Sequence, residues 1–313
     1  MVEGRLKEKL KGQHYGLVGN HSSVKVCSWT KKSLYDEGFC YKQKFYGIRT
    51  HLCCQMTPSV GYCMNNCVYC WRTVEYSLRK FEPMDEPETI YQECLKAQRR
   101  LITGFKGEKR CNQQKWKEAQ DPKHFAISLS GEPTMYPKLS EFIRTVHSHG
   151  ATTFLVTNGM LPDVMERLEM PTQLYLSLST ANEKDFDRIH QPLFKDGWER
   201  LNRSLDILNK LGTKTRTTLR VTAIKDINMK EPDKWAELIE KANPKFLEIK
   251  AYMYLGASRK YLKLENMPKH SEIVRFSEEI AANSGYKIID EKADSRVVLM
   301  MKKDTSDRIM RFL

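Results

Sequence analysis

From residue 122 onward, short apolar or β-branched runs alternate with stretches of helical spacing, and this alternation limits the possible folds more than any other feature of the chain. Residues 124–130, 152–157, 173–179, 216–222 and 246–251 read as strands, and 138–149, 161–168, 198–211 and 232–242 read as the helices between them. Strands alternating with helices predict parallel βαβ units. A first strand near 47–51, followed by a helix over 86–100, brings the total to about six units. Six are too few to close an eight-stranded barrel. The expected fold class is therefore α/β, a partial (βα)6 TIM-like barrel.

The segments outside this pattern differ in texture. Residues 1–75 are rich in Cys, Gly and Tyr and show little periodicity. Residues 1–46 are expected as an N-terminal cysteine-rich extension and 47–313 as the barrel with C-terminal elements, a helix over 271–283 and a strand over 296–301 among them. The charged, Gln-rich run 106–123 reads as a surface insertion. At 313 residues and 40% hydrophobic, the chain has enough apolar material for a sizeable core. No apolar stretch approaches the ~20 residues that cross a bilayer. The first eleven residues mix Glu, Lys and Arg with no apolar run, so a secretory leader is not expected. Nine cysteines in such a chain point to metal binding or catalysis and to a cytoplasmic location. A net charge of +13, from 52 Lys and Arg against 39 Asp and Glu, suits a polyanionic partner such as RNA. A solvated basic surface would give the same count.

Cys63, Cys67 and Cys70 are spaced C-x3-C-x2-C, with no fourth cysteine close behind. A [4Fe–4S] cluster has four irons, each normally held by one thiolate. Three thiolates leave one iron open to a small molecule. The spacing, with Tyr69 before the third cysteine, resembles the signature of radical S-adenosylmethionine (SAM) enzymes, whose open iron is chelated by the SAM amino and carboxylate groups. A structural zinc site is the alternative, but zinc usually takes two C-x2-C pairs and this chain has one.

Barrel active sites lie at the C-terminal ends of the strands. Those positions carry Gly131, Glu132 and Pro133, then Thr157 and Asn158, then Ser177 and Ser179, then Arg220 and Thr222. The 130–134 run SGEPT resembles the motif that binds the SAM amino group, and radical SAM enzymes share the (βα)6 architecture. Taken singly, each of these residues is as well explained as a turn or a helix cap. Their recurrence at successive strand ends makes Gly131, Glu132, Pro133, Thr157, Asn158, Ser177, Ser179 and Thr222 the expected SAM-binding set.

Cys27, Cys40 and Cys53 form a second set, C-x12-C-x12-C. Three more thiolates are enough for a second cluster, but the spacing is unspecific and Cys54 beside Cys53 leaves the third ligand ambiguous. The surrounding residues are more specific. The runs GFCYKQKFYGI (38–48), HLCCQMTP (51–58), CVYCWR (67–72), SGEPTMYP (130–137), VTNG (156–159) and EIKAYMYLGASRKYL (248–262) resemble the TYW1/Taw1 family, the 4-demethylwyosine synthases of wybutosine biosynthesis. The resemblance implies two [4Fe–4S] clusters, with Cys27, Cys40 and Cys53 holding the second and Cys54 spare. It also implies the reaction: SAM is cleaved reductively, N1-methylguanosine-37 of tRNA-Phe is activated at its methyl carbon, and pyruvate supplies two carbons for the third ring. Lys42, in the family's Cys-Tyr-Lys motif, is the expected catalytic residue. It forms a Schiff base with the pyruvate ketone, or pairs with the carboxylate of pyruvate chelated to the second cluster. Arg259 and Lys260 are candidates for tRNA phosphates, and Trp71 and Tyr252 for stacking on bases.

Eukaryotic relatives carry a flavodoxin-like domain ahead of the cysteines, and the 26 residues before Cys27 are too few for one. The resemblance thus implies a stand-alone archaeal type, reduced by an external low-potential flavodoxin or ferredoxin. Two competing functions are another two-cluster radical SAM tRNA modifier, such as a methylthiotransferase, and a non-catalytic, zinc-stabilised RNA-binding protein.

Overall fold

The computed structural model describes Val2, residues 4–72 and residues 81–312. Its elements are α1 (Gly4–Gly12), β1 (Gly16–Val18), β2 (Ser22–Val24), α2 (Ser28–Leu34), α3 (Tyr41–Tyr46), β3 (Cys53–Thr57), α4 (Pro87–Ile102), α5 (Gln113–Glu118), β4 (His124–Ile127), α6 (Leu139–Ser148) and β5 (Thr152–Thr157). They continue as α7 (Pro162–Glu166), β6 (Gln173–Leu178), α8 (Glu183–His190), α9 (Gly197–Leu211), β7 (Arg216–Ala223), α10 (Pro232–Ala242), β8 (Phe246–Ala251), α11 (His270–Ala282), β9 (Lys287–Lys292) and β10 (Val297–Met301).

All ten strands form one open sheet in the order β1-β2-β3-β4-β5-β6-β7-β8-β10-β9. The six strands β3 to β8 run parallel, as the partial barrel requires. Each edge is finished by antiparallel strands: β1 and β2 on the β3 side, β10 and β9 on the β8 side. Residues 1–46, expected as an extension, thus contribute two strands to the same sheet.

The helices cover the outer face by ordinary amphipathic spacing. α6 buries Leu139, Phe142, Ile143 and Val146, positions i, i+3, i+4 and i+7 of one face. The inner face is different. Alternation along β8 points Phe246, Glu248 and Lys250 to one side, and register sets Glu248 beside Arg220 of β7, which in turn pairs with Ser177 of β6. Below this polar layer lies an aromatic one. Tyr41, Phe45 and Tyr46 of α3 pack against Phe154, Tyr175 and Phe246, so a short helix from the N-terminal region fills the foot of the barrel. A C-terminal stretch straps α3 in place. Arg308 Nη1 donates to the Phe45 carbonyl (3.2 Å), and the Met310 amide donates to the Tyr46 carbonyl (2.9 Å).

One strand lies elsewhere than expected. The first parallel strand is Cys53–Thr57, not 47–51. Gly47 takes φ 81° as the left-handed cap of α3, and Thr50–Leu52 coil into a single helical turn, so the extended run starts later. The run 106–123 is also more than a surface insertion. It contains α5, buries Cys111 and Ala119, and is anchored by Trp116 Nε1 donating to the Ile102 carbonyl (2.9 Å).

Candidate active site

The loop after β3 carries Cys63, Cys67 and Cys70. The Cys70 amide closes a tight turn onto the Cys67 carbonyl (3.0 Å), and the Val68 amide ties the loop to Ile189 at the end of α8 (2.9 Å). The three cysteines line a cavity of about 150 Å³ at the C-terminal ends of the strands, together with Gly131, Glu132, Thr157, Asn158 and Ser177. Burial and the neighbouring sulfurs push the Cys67 thiol well up, and burial raises Cys63 to about 12. Bare thiols there stay protonated, and metal binding must release those protons.

Gly131 and Glu132 have separate structural reasons. Gly131 has φ 71°, and a Cβ there would run into the Ser59 and Tyr62 carbonyl oxygens. Glu132 is 2% exposed, and burial raises its pKa. Its Oε1 accepts from the Thr134 amide (3.0 Å), the Thr134 hydroxyl (2.6 Å) and the Thr157 hydroxyl (2.7 Å), while Oε2 accepts from the Asn158 amide (2.7 Å). With two lone pairs per oxygen, Oε2 keeps room for one more donor on the cavity side. Pro133 is buried and opens the turn that follows. Asn158 Nδ2 points back at Cys63 Sγ (3.8 Å).

A second, larger cavity of about 330 Å³ shares Tyr69, Cys70, Arg72, Ser128, Val156 and Ser177 with the first. Thr222 lines it, as do three cations: Arg72, Arg220 and Lys250. Burial brings Lys250 down to about 8. The Arg220 guanidinium makes no hydrogen bond or ion pair among the described residues, and it reaches the Tyr41 ring at 6.0 Å. Ser179 is buried and lies outside the residues lining either cavity.

The other three cysteines lie near one another. Cys27 caps α2, with its sulfur accepting from the Thr30 amide (3.3 Å), Cys40 sits at the N-terminus of α3, and Cys53 starts β3. Burial and the nearby Cys27 raise Cys40, to about 11, and Cys53. Strand alternation turns Cys54 the opposite way, into the apolar core beside Cys94, so Cys53 alone faces the group. Lys42 lies between this group and the barrel interior. It is 8% exposed, and its Nζ stands 4.9 Å over Phe154 and 4.5 Å over Tyr175. Its ammonium makes no hydrogen bond or ion pair among the described residues. Burial lowers its pKa, while Glu248 and Cys40 oppose that fall. Glu248 itself is fully buried and accepts from Tyr41 (3.0 Å) and Tyr46 (2.6 Å).

Sequence reasoning assigned no role to Arg72, Glu248 or Lys250. The signal was present in β8, FLEIKA, where charged residues at every second position of an interior parallel strand must face the barrel.

The chemistry of the first site fits a metal cluster with a bound cosubstrate. Among the described residues, no three Cys, His, Asp or Glu side chains are grouped as a single ion would require. Both side-chain amide atoms of Asn65, which lines the first cavity, and Arg72 Nε are buried without a partner among the described residues, leaving donors and an acceptor for a bound polar molecule.

An open parallel partial barrel with three such cysteines at its mouth defines the radical SAM superfamily, whose family model matches residues 57–239. A second model, for wyosine base formation, matches residues 241–302. The chain is 47% identical over 299 residues to the S-adenosyl-L-methionine-dependent tRNA 4-demethylwyosine synthase of Pyrococcus abyssi, spanning 93% of this chain and 87% of that one. It is 43% identical over 311 residues to the enzyme of the same name from Methanocaldococcus jannaschii, spanning 97% and 98%. Among solved structures, a TYW1 with a lysine–pyruvate adduct bound superposes with TM-score 0.89 at 40% identity, covering 99% of this chain and 100% of that one. The chain belongs to the tRNA 4-demethylwyosine synthase family of radical SAM enzymes. That membership implies SAM and an iron–sulfur cluster as cofactors.

Proposed function

We propose that this chain converts N1-methylguanosine-37 of tRNA-Phe to 4-demethylwyosine with two carbons from pyruvate, in the cytoplasm, using electrons from a low-potential flavodoxin or ferredoxin. The observation that carries this reading is a shared interior. The cavity at Cys63, Cys67 and Cys70 continues into the one holding Arg220 and Lys250, and both of those cations bear on Cys40 of the other triad.

In this reading Cys63, Cys67 and Cys70 hold one [4Fe–4S] cluster, and Cys27, Cys40 and Cys53 hold a second. When bound, the first cluster and SAM supply the one-electron chemistry that activates the substrate methyl group. Glu132 Oε2 receives the SAM ammonium. Gly131 and Pro133 shape the turn that presents Glu132, Thr157 locks its carboxylate, and Asn158, Ser177 and Thr222 take the remaining polar edges. Lys42 takes pyruvate. Its neutral amine adds to the keto carbon, the oxygen leaves as water, and a C=N bond remains. The lysine–pyruvate adduct of the similar TYW1 supports this choice over pairing with the carboxylate. The rings of Phe154 and Tyr175 exclude water from the amine. The relatives' shared name and the wyosine base formation match favour this reading over a methylthiotransferase or a zinc-stabilised RNA binder.

The test is anaerobic turnover of reconstituted protein with SAM, reductant, carbon-13-labelled pyruvate and tRNA-Phe, with and without the N1-methyl group at position 37. Digestion and mass spectrometry should find two labelled carbons in the product base, from methylated tRNA alone. Conversion without pyruvate, or insertion of sulfur, would sink the reading.

A further inference from the structure

After β8 the chain leaves the barrel and forms a ridge, residues 253–264, at the mouth of the second cavity. Four of the ten large hydrophobic side chains exposed among the described residues lie here: Met253 (39%), Leu255 (48%), Tyr261 (53%) and Leu264 (56%). Scattered exposed apolar residues are ordinary, but a cluster rimmed by charge marks an interaction surface. Arg259, Lys260 and Lys263 alternate with them along the chain.

The ridge is firmly built, so these side chains are not exposed through loose packing. Gly256 (φ 59°) lies so close to the Trp71 carbonyl that a Cβ has no room, and the Ala257 amide donates to that carbonyl (3.0 Å). The Ser258 hydroxyl donates to the Leu255 carbonyl (2.7 Å), and the Lys225 amide and the Asn266 side chain tie the far end down with two bonds of 3.0 Å. Met253 and Leu255 line the cavity, so the ridge is continuous with the place where a substrate would react.

Apolar faces alternating with fixed cations suit single-stranded nucleic acid, whose bases stack while its phosphates meet Lys and Arg. A base drawn into a pocket leaves its unpaired neighbours at the rim. We propose that the 253–264 ridge is the platform that receives the unpaired RNA nucleotides flanking the target base, with Tyr261 and Leu264 against base faces and Arg259 and Lys263 against phosphates. The proposal rests on the reading of this chain as a tRNA-modifying enzyme, and it adds where and by what contacts the loop is held.

The experiment measures binding of a labelled anticodon-arm hairpin to the reconstituted holoenzyme by fluorescence anisotropy, across a salt series. Wild type should bind the hairpin and lose it when a complementary strand pairs the loop. Tyr261→Ala combined with Leu264→Ala should weaken binding about tenfold or more, whereas Tyr261→Phe, which keeps the ring, should bind as wild type. Arg259→Gln with Lys263→Gln should reduce the slope of log K against log salt by about 1.4, at ~0.7 per phosphate contact. RNA-independent release of 5′-deoxyadenosine from SAM should stay unchanged in all variants, which separates lost contacts from lost folding. Unchanged affinity and salt slope in the variants, with wild type binding normally, would overturn the platform. Failure of wild type itself to bind the hairpin would overturn the tRNA reading and the platform with it.

Discussion

Cys63, Cys67 and Cys70 come from a single loop, whereas Cys27, Cys40 and Cys53 come from a helix cap, a second helix cap and the first residue of a strand. The first triad is built locally, since a tight turn and ties to α8 are enough to gather it. The second exists only when α2, α3 and β3 are packed together. The first also opens onto the strand ends, where a small molecule can enter, while the second is set against the aromatic foot of the barrel with Lys42 beside it. On the proposed reading, one fold separates a place for generating reactivity from a place for holding a co-substrate, and the polar layer of Ser177, Arg220 and Glu248 lies between them.

The strongest way to break this comparison is to remove the local triad. Cys67→Ala should abolish SAM cleavage, read as 5′-deoxyadenosine formed under strong reductant, and persistent cleavage would dissociate the triad from that step. Removing the dispersed triad, Cys27→Ala/Cys40→Ala/Cys53→Ala, should leave RNA-independent SAM cleavage in place while the modified base disappears. Iron content should then fall from about eight to about four per chain, and equal iron in both proteins would eliminate the second cluster. Lys42→Arg keeps the positive charge without the primary amine. It should lower product formation by ~10²-fold or more, with iron content intact and without the mass increase that borohydride traps in wild type treated with pyruvate. Gly131→Ala should cost more than ~1 kcal/mol in denaturant unfolding, because its left-handed backbone and the Ser59 carbonyl both reject a Cβ. The smallest effect belongs to Cys54→Ala. It trims a buried core side chain, costs ~1–2 kcal/mol, and should leave iron unchanged, so a loss of iron there would reassign the third ligand.

The same contrast explains what was legible in the sequence. The C-x3-C-x2-C spacing is itself local structure, so Cys63, Cys67 and Cys70 could be read directly. The choice between Cys53 and Cys54 could not be read from spacing, since it depends on which way each residue points once β3 pairs with β4. The expected strand at 47–51 missed β3 because Cys53–Thr57 is CCQMT, a run with little β-branched or aromatic content. β1 and β2, three residues each, are too short to show a period. β9, KIIDEK, is a charged, half-exposed edge strand that reads as polar surface. The long interior strands from β5 to β8 were read nearly to the residue, because burial on both faces leaves an apolar run that few other structures produce.

The strap across the foot of the barrel bears on how the protein comes to exist at all. Arg308 and Phe45 are 263 positions apart in sequence, yet their hydrogen bond helps fix the short helix that carries Lys42 and begins at Cys40. Contacts of such separation close late, because the entropy of the intervening loop must be overcome first. On the proposed reading, the dispersed triad is expected to mature late, so a second cluster would be delivered to a nearly finished barrel. The single-loop triad, by contrast, can gather its ligands while much of the chain is still settling.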